Sequence, residues 1–243
     1  MLIRSALFYL YFTLVTIFYS LILVTLGLFV PFSVRSNWAC AWGRHSILGL
    51  KIFCGLDYHL SGTENLKRVD NAVILCKHQS AWETIFLRAL LPSNQSWVLK
   101  RELIRIPFFG WGLAMTNPIA INRGTPKQAL KQVLDLGVQR LKEGHWLVIF
   151  PEGTRVTPGE RKRYGASGAM LAKKAGVDVI PVVHNAGYFW KPKAFRKTSG
   201  TIEMVIGEPI STPDRSAKEI MDLAEEWIEN EVLKLPIISN SDT

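Results

Sequence analysis

The sequence predicts an α/β protein with a mainly parallel sheet flanked by helices, preceded by a hydrophobic helical membrane anchor. Short, near-continuous apolar runs alternate with helical patterns from about residue 57 onward, which is typical of parallel strands covered on both faces. The part before residue 57 differs, because one long apolar run dominates it. The 243 residues are enough for one sizeable domain with an appendage. We therefore divide the chain into N-terminal membrane-anchoring helices at 1–56 and an α/β domain at 57–243.

A long uncharged segment predicts the anchor. No charged residue lies between Arg4 and Arg35, and the stretch from Leu7 to Val30 is almost wholly aliphatic, aromatic or threonine. This stretch is longer than the ~20 residues that cross a bilayer core. It is also too long for a cleaved signal peptide.

A second hydrophobic segment, 38–56, is interrupted by Arg44, His45 and Lys51. This pattern predicts an amphipathic helix that lies in the plane of the membrane interface. Two arrangements stay open: the first segment spans the membrane with the second beneath it, or both dip into one leaflet as a helical pair. Arg35, Arg44 and the basic remainder of the chain favour a cytoplasmic C-terminal side.

Strand-length apolar runs and helical patterns alternate in the remainder of the chain. The predicted strands are 58–61, 73–76, 97–100, 119–122, 146–150, 179–183 and 202–206. The clearest helix begins at Thr125-Pro126, where a capping residue precedes a proline at the first helical position, and it stops at Gly144. Further helices are predicted over 166–175 and 217–235. The alternation indicates a mainly parallel sheet.

A histidine and a glutamate occupy a strand-to-helix junction at 77–84, where α/β proteins tend to place ligand sites. Positions five apart do not share a helix face, so His78 must lie in the turn and Glu83 in the first helical turn if they act together. Ser80 and Glu83 also fit a capping box with Ser80 as the N-cap. Two compatible interpretations stay open: Glu83 caps the helix, or it holds His78 as a general base.

The segment Phe-Pro-Glu-Gly-Thr-Arg at 150–155 turns the chain at the end of a predicted strand. Gly153 allows close approach of the backbone to a ligand, and Arg155 offers a planar fork for phosphate oxygens. If the segment is considered alone, an ordinary strand-end turn with a solvated arginine is a better explanation than a phosphate site.

Cations also follow two other predicted strands. Lys100 precedes a compact segment of aromatic residues, proline and glycine that ends at Trp111, and Arg123 follows the strand at 119–122. The first segment fits a phosphate contact beside an acyl-chain wall, or a charged helix start followed by a buried aromatic loop. The Ile-Pro-Val sequence at 180–182 predicts a core strand with a bulge or kink at Pro181.

Composition narrows the function further. The net charge of +9 indicates an anionic partner, such as nucleic acid, a membrane surface or a phosphorylated small molecule. Nucleic acid is disfavoured because zinc-ligand spacing, a basic heptad region and RNA-binding signatures are missing from the sequence. G-x-S-x-G, P-loop and H-E-x-x-H motifs are also missing, so we expect no metal and no organic cofactor. The three cysteines fit buried apolar positions in a reducing compartment.

Four segments resemble, in the same order, the sequence blocks of the glycerolipid acyltransferase family, specifically the bacterial 1-acyl-sn-glycerol-3-phosphate acyltransferases. They are the H-x4-D/E box at 78–83, the lysine and Pro-Phe-Phe-Gly block at 100–111, Phe-Pro-Glu-Gly-Thr-Arg at 150–155 and Ile-Pro-Val at 180–182. The N-terminal apolar part resembles the family's membrane anchor. One residue departs from the pattern, because the family more commonly has aspartate where this chain has Glu83.

The resemblance implies that the chain acylates lysophosphatidic acid. His78 would deprotonate the sn-2 hydroxyl, and the alkoxide would attack the thioester of acyl-CoA or acyl carrier protein, giving phosphatidic acid. Glu83 would orient the imidazole and stabilise its cation, without an acyl-enzyme. The thioester is a co-substrate, and no cofactor is implied. The expected location is the bacterial inner membrane, with the catalytic domain on the cytoplasmic face.

The resemblance also implies a binding site for the phosphate of the acceptor. Its residues are Lys100, Arg123, Glu152, Gly153, Thr154 and Arg155. The cations among them would hold the phosphate, and the others would shape the pocket. Two alternatives stay open: an acyltransferase for another lysolipid, and a non-catalytic basic protein that binds anionic membranes.

Overall fold

Seven strands form one sheet within residues 1–122 and 124–237, the residues that this computed structural model describes. The strands are β1 (Leu56–Ser61), β2 (Ala72–Cys76), β3 (Gln95–Lys100), β4 (Ile119–Ile121), β5 (Trp146–Ile149), β6 (Asp178–His184) and β7 (Gly200–Ile206). Their order across the sheet is β1-β7-β6-β2-β5-β3-β4. Each strand lies within a residue or two of a predicted apolar run.

The sheet is mainly parallel, as predicted. Every neighbouring pair is parallel except β6 and β7, so β1 and β7 run against the other five strands. The carboxyl ends of β2, β5 and β3 therefore meet at one edge of the sheet. This edge receives the segments at 77–84, 150–155 and 100–111 together.

Eight helices are formed by the described residues. They are α1 (Leu2–Thr25), α2 (Phe32–Gly49), α3 (Trp82–Leu90), α4 (Phe109–Ala114), α5 (Pro126–Lys142), α6 (Ser167–Ala175), α7 (Ala186–Phe189) and α8 (Ala217–Val232). The three predicted helices correspond to α5, α6 and α8. A capping box between Ser216 and Glu219 fixes the start of α8.

Alternate residues of β2 pack into two separate hydrophobic cores, one on each face of the sheet. Ile74 and Cys76 pack with residues of α1, α2 and α3, whereas Val73 and Leu75 pack with residues of α5, α6 and α8. Side chains of a strand point alternately to opposite faces, so a strand covered on both faces must be apolar throughout. All five residues of β2 are completely buried, which makes this strand a rigid base for the residues that follow it.

The expected bulge or kink at Pro181 is wrong, because β6 is continuous and Pro181 pairs in register with Leu75 of β2. The carbonyl of Pro181 accepts a hydrogen bond of 2.8 Å from the N–H of Gly207, beyond the end of β7. The missing N–H of the proline therefore lies on the side away from β2, where the parallel ladder does not need it.

The helix α1 is hydrogen-bonded to the second N-terminal helix and its π-helical turn, and to the α/β domain near its own start. The guanidinium of Arg4 donates to the carbonyl of Phe53 (2.7 Å), and the hydroxyl of Ser5 accepts from the N–H of Lys197 (3.0 Å). Further along, Thr16 accepts a hydrogen bond from the indole of Trp42 in α2 (3.0 Å). In the described residues, α1 is the one helix long and apolar enough to cross a membrane.

One face of α1 carries exposed apolar side chains. They are Leu7, Leu10, Leu14, Phe18 and Leu21. The three- and four-residue spacing places them in one stripe along the helix. This stripe is the part of α1 that suits contact with lipid, since the other faces meet protein.

The second N-terminal helix packs closely against α3. It begins already at Phe32 and continues through a π-helical turn to Cys54. A Cβ atom on Gly43 would lie 3.0 Å from the carbonyl oxygen of Ile85 and from the amide nitrogen of Ala89, both in α3. The bounds of the expected helix at 38–56 are therefore corrected to 32–54, with one face on α3, and its place in the membrane interface stays a prediction. The division at residue 56 stays a prediction.

Candidate active site

His78 and Glu83 meet at the carboxyl end of β2. The Nδ1 atom of His78 lies 2.7 Å from Oε1 of Glu83. The same oxygen accepts backbone N–H groups from Gln79 (3.0 Å) and Ser80 (2.8 Å). Glu83 therefore contacts both the turn and the imidazole through one carboxylate oxygen, and the role of His78 as a general base stays a prediction.

The predicted capping box is only half formed. The helix α3 begins at Trp82 with Ala81 in the N-cap position, not Ser80. The hydroxyl of Ser80 accepts from the N–H of Trp82 (3.2 Å) and donates to the carbonyl of Trp190 (2.8 Å). Ser80 thus ties the turn to the segment after α7, while Glu83 alone reaches back to the backbone.

The carboxyl of Glu83 is completely buried and is held ionised. Burial raises its pKa, but nearby His184, the imidazole of His78 and the N–H of Ser80 together outweigh burial and leave the pKa below its ordinary value. A buried carboxylate beside an imidazole stabilises the imidazolium that forms when the ring takes a proton.

The imidazole of His78 is stacked on the ring of Phe150, with centroids 4.0 Å apart and planes 17° from parallel. Its side chain is 13% exposed, so the ring is fixed yet reachable. Because Nδ1 faces Glu83, the neutral ring carries its proton there, and Nε2 is the basic nitrogen. This is the arrangement that a general base for a hydroxyl requires.

Glu152 holds the backbone of His78. Its side chain is completely buried, and its Oε1 accepts the N–H of His78 at 3.2 Å. The carbonyl of His78 accepts the N–H of Val156 at 2.8 Å. The turn at 150–155 and the residue after it therefore bind both the N–H and the carbonyl of His78. Burial raises the pKa of Glu152.

The remaining predicted binding residues lie at the same edge of the sheet but are exposed. Gly153 has a φ of 68°, and a Cβ added to it would meet nothing within 4 Å, so the backbone conformation is what favours glycine there. Thr154 and Arg155 follow on the open side of the turn. Lys100 ends β3 and lies 3.4 Å from Glu102. Arg123 lies outside the described residues.

Comparison with known proteins places this arrangement in a family. Residues 57–185 match the family model described as Acyltransferase. The 1-acyl-sn-glycerol-3-phosphate acyltransferase of Pseudomonas aeruginosa is 40% identical over 93% of this chain and 89% of that protein. The chain belongs to the acyltransferase family. It is an O-acyltransferase, and the family resemblance seen in the sequence is confirmed.

Other relatives agree with this assignment. A 1-acyl-sn-glycerol-3-phosphate acyltransferase of Helicobacter pylori is 32% identical over 74% of this chain and 78% of that protein. The crystal structure of the 1-acyl-sn-glycerophosphate acyltransferase of Thermotoga maritima superposes with a TM-score of 0.79 at 24% identity, covering 98% of both chains. The latter match confirms the predicted fold class.

Two polar residues beside this acyltransferase site, Lys77 and His184, were not predicted from the sequence. Lys77 is 1% exposed, and its ammonium lies 2.5 Å from Oε1 of Glu229 in α8 and 3.6 Å from Oε1 of Glu152. The phenol of Tyr164 donates to the same oxygen of Glu229 (2.8 Å). A lysine directly after five buried residues was the available signal, because such a cation needs a buried partner.

His184 is the second missed residue. It ends β6, is completely buried, and lies beside both Lys77 and Glu83. Its signal was a polar residue closing an apolar run that ends at the same edge as His78. Among the described residues, no group of three or more histidine, cysteine, aspartate or glutamate side chains is arranged to hold a metal ion.

Proposed function

We propose that this acyltransferase moves an acyl group from a thioester to the sn-2 hydroxyl of 1-acyl-glycerol-3-phosphate, making phosphatidic acid for phospholipid synthesis. The observation that carries the proposal is the 2.7 Å contact between His78 and Glu83, at the sheet edge where Arg155 is presented. The names of the relatives from Pseudomonas aeruginosa and Helicobacter pylori support the choice of acceptor.

The proposed reaction uses His78 as base and then as acid. Nε2 takes the proton of the hydroxyl as its oxygen attacks the thioester carbonyl. When the tetrahedral intermediate collapses, the carbon–sulfur bond breaks, and the imidazolium returns the proton to the departing thiolate. Glu83 stabilises the imidazolium between the two transfers. The hydroxyl attacks the thioester directly, so an acyl-enzyme is not required.

The phosphate of the acceptor is assigned to the exposed cations at the sheet edge, Arg155 and Lys100, together with Arg123. A guanidinium matches two phosphate oxygens at once. Gly153 and Thr154 shape the turn that presents Arg155, and Glu152 holds that turn against His78. The acyl donor is acyl-CoA or acyl carrier protein, and the net charge of +9 suits either anionic carrier. We propose no cofactor beyond this thioester.

For the membrane, we propose that α1 and α2 enter one leaflet as a pair and do not project a free spanning helix. The support is that Arg4, Thr16 and Phe8 of α1 all contact the rest of the protein, while its apolar stripe stays exposed. The proposed location is the cytoplasmic face of the bacterial inner membrane.

Purified full-length protein in a lipid nanodisc tests the proposed function. We expect turnover when 1-acyl-glycerol-3-phosphate is supplied with acyl-CoA or acyl carrier protein thioester, and none when the acceptor is lysophosphatidylcholine or a lyso-amino-acid lipid. Preference for another lysolipid would move the function to the second candidate. A folded protein that turns over no acceptor but still binds anionic vesicles would favour the non-catalytic one.

A further inference from the structure

We propose that His184 is a positioning residue for the reaction: it fixes the strand end that carries His78 and places an N–H beside the second oxygen of Glu83. The inference deepens the proposed function and rests on it. The contact between His184 and the carbonyl of Lys77 cannot be seen from the sequence, because the two residues are 107 positions apart. The sheet brings them together, since β6 and β2 are parallel neighbours.

The protonation state of His184 follows from its hydrogen bonds. The N–H of Ala186 donates to Nδ1 at 3.1 Å, so Nδ1 carries no proton. The proton of the neutral ring is therefore on Nε2, which lies 2.8 Å from the carbonyl oxygen of Lys77 and donates to it. The hydrogen-bonded carbonyl belongs to the peptide group that leads into His78. The side chain of His184 thus pins the backbone from which the base projects.

The same N–H lies beside Glu83. Nε2 of His184 is 3.6 Å from Oε2 of Glu83, and this oxygen accepts no hydrogen bond from the described residues. Oε1, in contrast, accepts the imidazole of His78 and two backbone N–H groups. One carboxylate is therefore flanked by two imidazoles, one at each oxygen.

The surroundings keep His184 neutral. The titratable groups that face it are Glu83 from α3, and His78 and Lys77 from the end of β2. Complete burial lowers the pKa of His184, and the ring of Trp82 lies 6.0 Å from its own. A neutral donor offers Oε2 a partial positive charge without taking the carboxylate away from His78.

The experiment compares His184→Leu with His184→Gln in the full-length protein. Leucine fills space without a donor, whereas the amide of glutamine can still donate to the carbonyl of Lys77. We expect kcat to fall about tenfold or more in His184→Leu while KM for the acceptor changes less than about twofold, and to recover largely in His184→Gln. A role in packing alone predicts the reverse ranking of the two variants, which would overturn the proposal.

The pH profile provides a second readout. Without the N–H of His184, Oε2 of Glu83 loses its neighbouring donor, so the carboxylate stabilises the imidazolium of His78 more strongly. We expect the acid limb of kcat to move up by roughly half a pH unit in His184→Leu. An unchanged profile and unchanged kcat would overturn the proposal.

Nitrogen NMR of the histidine side chains separates failure of this inference from failure of the proposed function. It reads the protonation of both rings without turnover. In the wild-type protein we expect His184 to be neutral with its proton on Nε2 at neutral pH, because burial lowers its pKa. Titration of His184 at an ordinary pKa, or a proton on Nδ1, would reject the inference whether or not lysophosphatidic acid is acylated.

Discussion

His78 and Arg155 follow neighbouring parallel strands and reach the same edge of the sheet, but only His78 is held in place by surrounding residues. His78 is fixed at its ring by Glu83 and Phe150, and at its backbone by Glu152. Arg155 is exposed on an open turn. A base works only in one tautomer and one orientation, so it must be held before substrate arrives. A phosphate-binding cation can stay hydrated until its ligand displaces the water.

The largest expected effect comes from removing the charge that holds the base. Glu83→Gln keeps an acceptor for the N–H groups of Gln79 and Ser80 but no longer stabilises the imidazolium of His78. We expect kcat to fall by about 10²–10⁴ with little change in melting temperature. Glu102→Gln is the matched control, since this carboxylate is exposed and should be dispensable. A similar loss of kcat in Glu83→Gln and Glu102→Gln would show that the carboxylate beside His78 has no special role.

Breaking the buried ion pair behind the base should mainly affect stability. Lys77→Met removes the buried ammonium that lies beside Glu229 and Glu152, and leaves Glu229 with the exposed guanidinium of Arg161. We expect a loss of about 3–5 kcal/mol in the free energy of unfolding. Thermal or denaturant unfolding in a constant detergent measures it. The double variant Lys77→Met, Glu229→Leu should regain part of the loss, because position 229 then buries no charge, while Glu152 still lacks the ammonium of Lys77. Additive losses would show that the two residues do not act as a pair.

Removing the exposed cation should affect binding and leave stability alone. We expect Arg155→Ala to lower kcat/KM for lysophosphatidic acid by the equivalent of about 1.5–3 kcal/mol, since it removes a charge-assisted contact with phosphate. Lys162→Ala, another exposed cation, is the control for general surface charge. Equal effects of the two substitutions would remove Arg155 from the acceptor site.

The smallest effect is expected at Gly153. Alanine there meets open space but must adopt a φ of 68°, so Gly153→Ala should cost only about 1 kcal/mol in stability. At Gly62, φ is 76° and a Cβ would lie 2.0 Å from the carbonyl oxygen of Ile206, so Gly62→Ala should cost clearly more. If Gly153→Ala cost as much unfolding free energy as Gly62→Ala, position 153 would have to be restricted by steric contact as well as by its backbone conformation, which would contradict this prediction.

The comparison also explains what the sequence could predict. Strands and their order along the chain follow from local apolar patterns, and the meeting of His78 with Glu83 follows from their spacing across one turn. Lys77 and Glu229 are 152 positions apart, and no local pattern links them. The capping box was half wrong because α3 begins one residue later than predicted, and the hydroxyl of Ser80 accepts the N–H of Trp82 while donating to the carbonyl of Trp190. Long-range polar pairs are decided by how the layers pack.

His78 is the proposed base, and Glu83, Phe150 and Glu152 hold it in place. Turnover of 1-acyl-glycerol-3-phosphate by His78→Ala, beside the wild-type protein and His59→Ala, tests this most directly. His59 is exposed on β1 and controls for the loss of an imidazole elsewhere. We expect kcat to fall at least about a hundredfold in His78→Ala alone, with an unchanged melting temperature. Wild-type turnover by a folded His78→Ala protein would contradict the account.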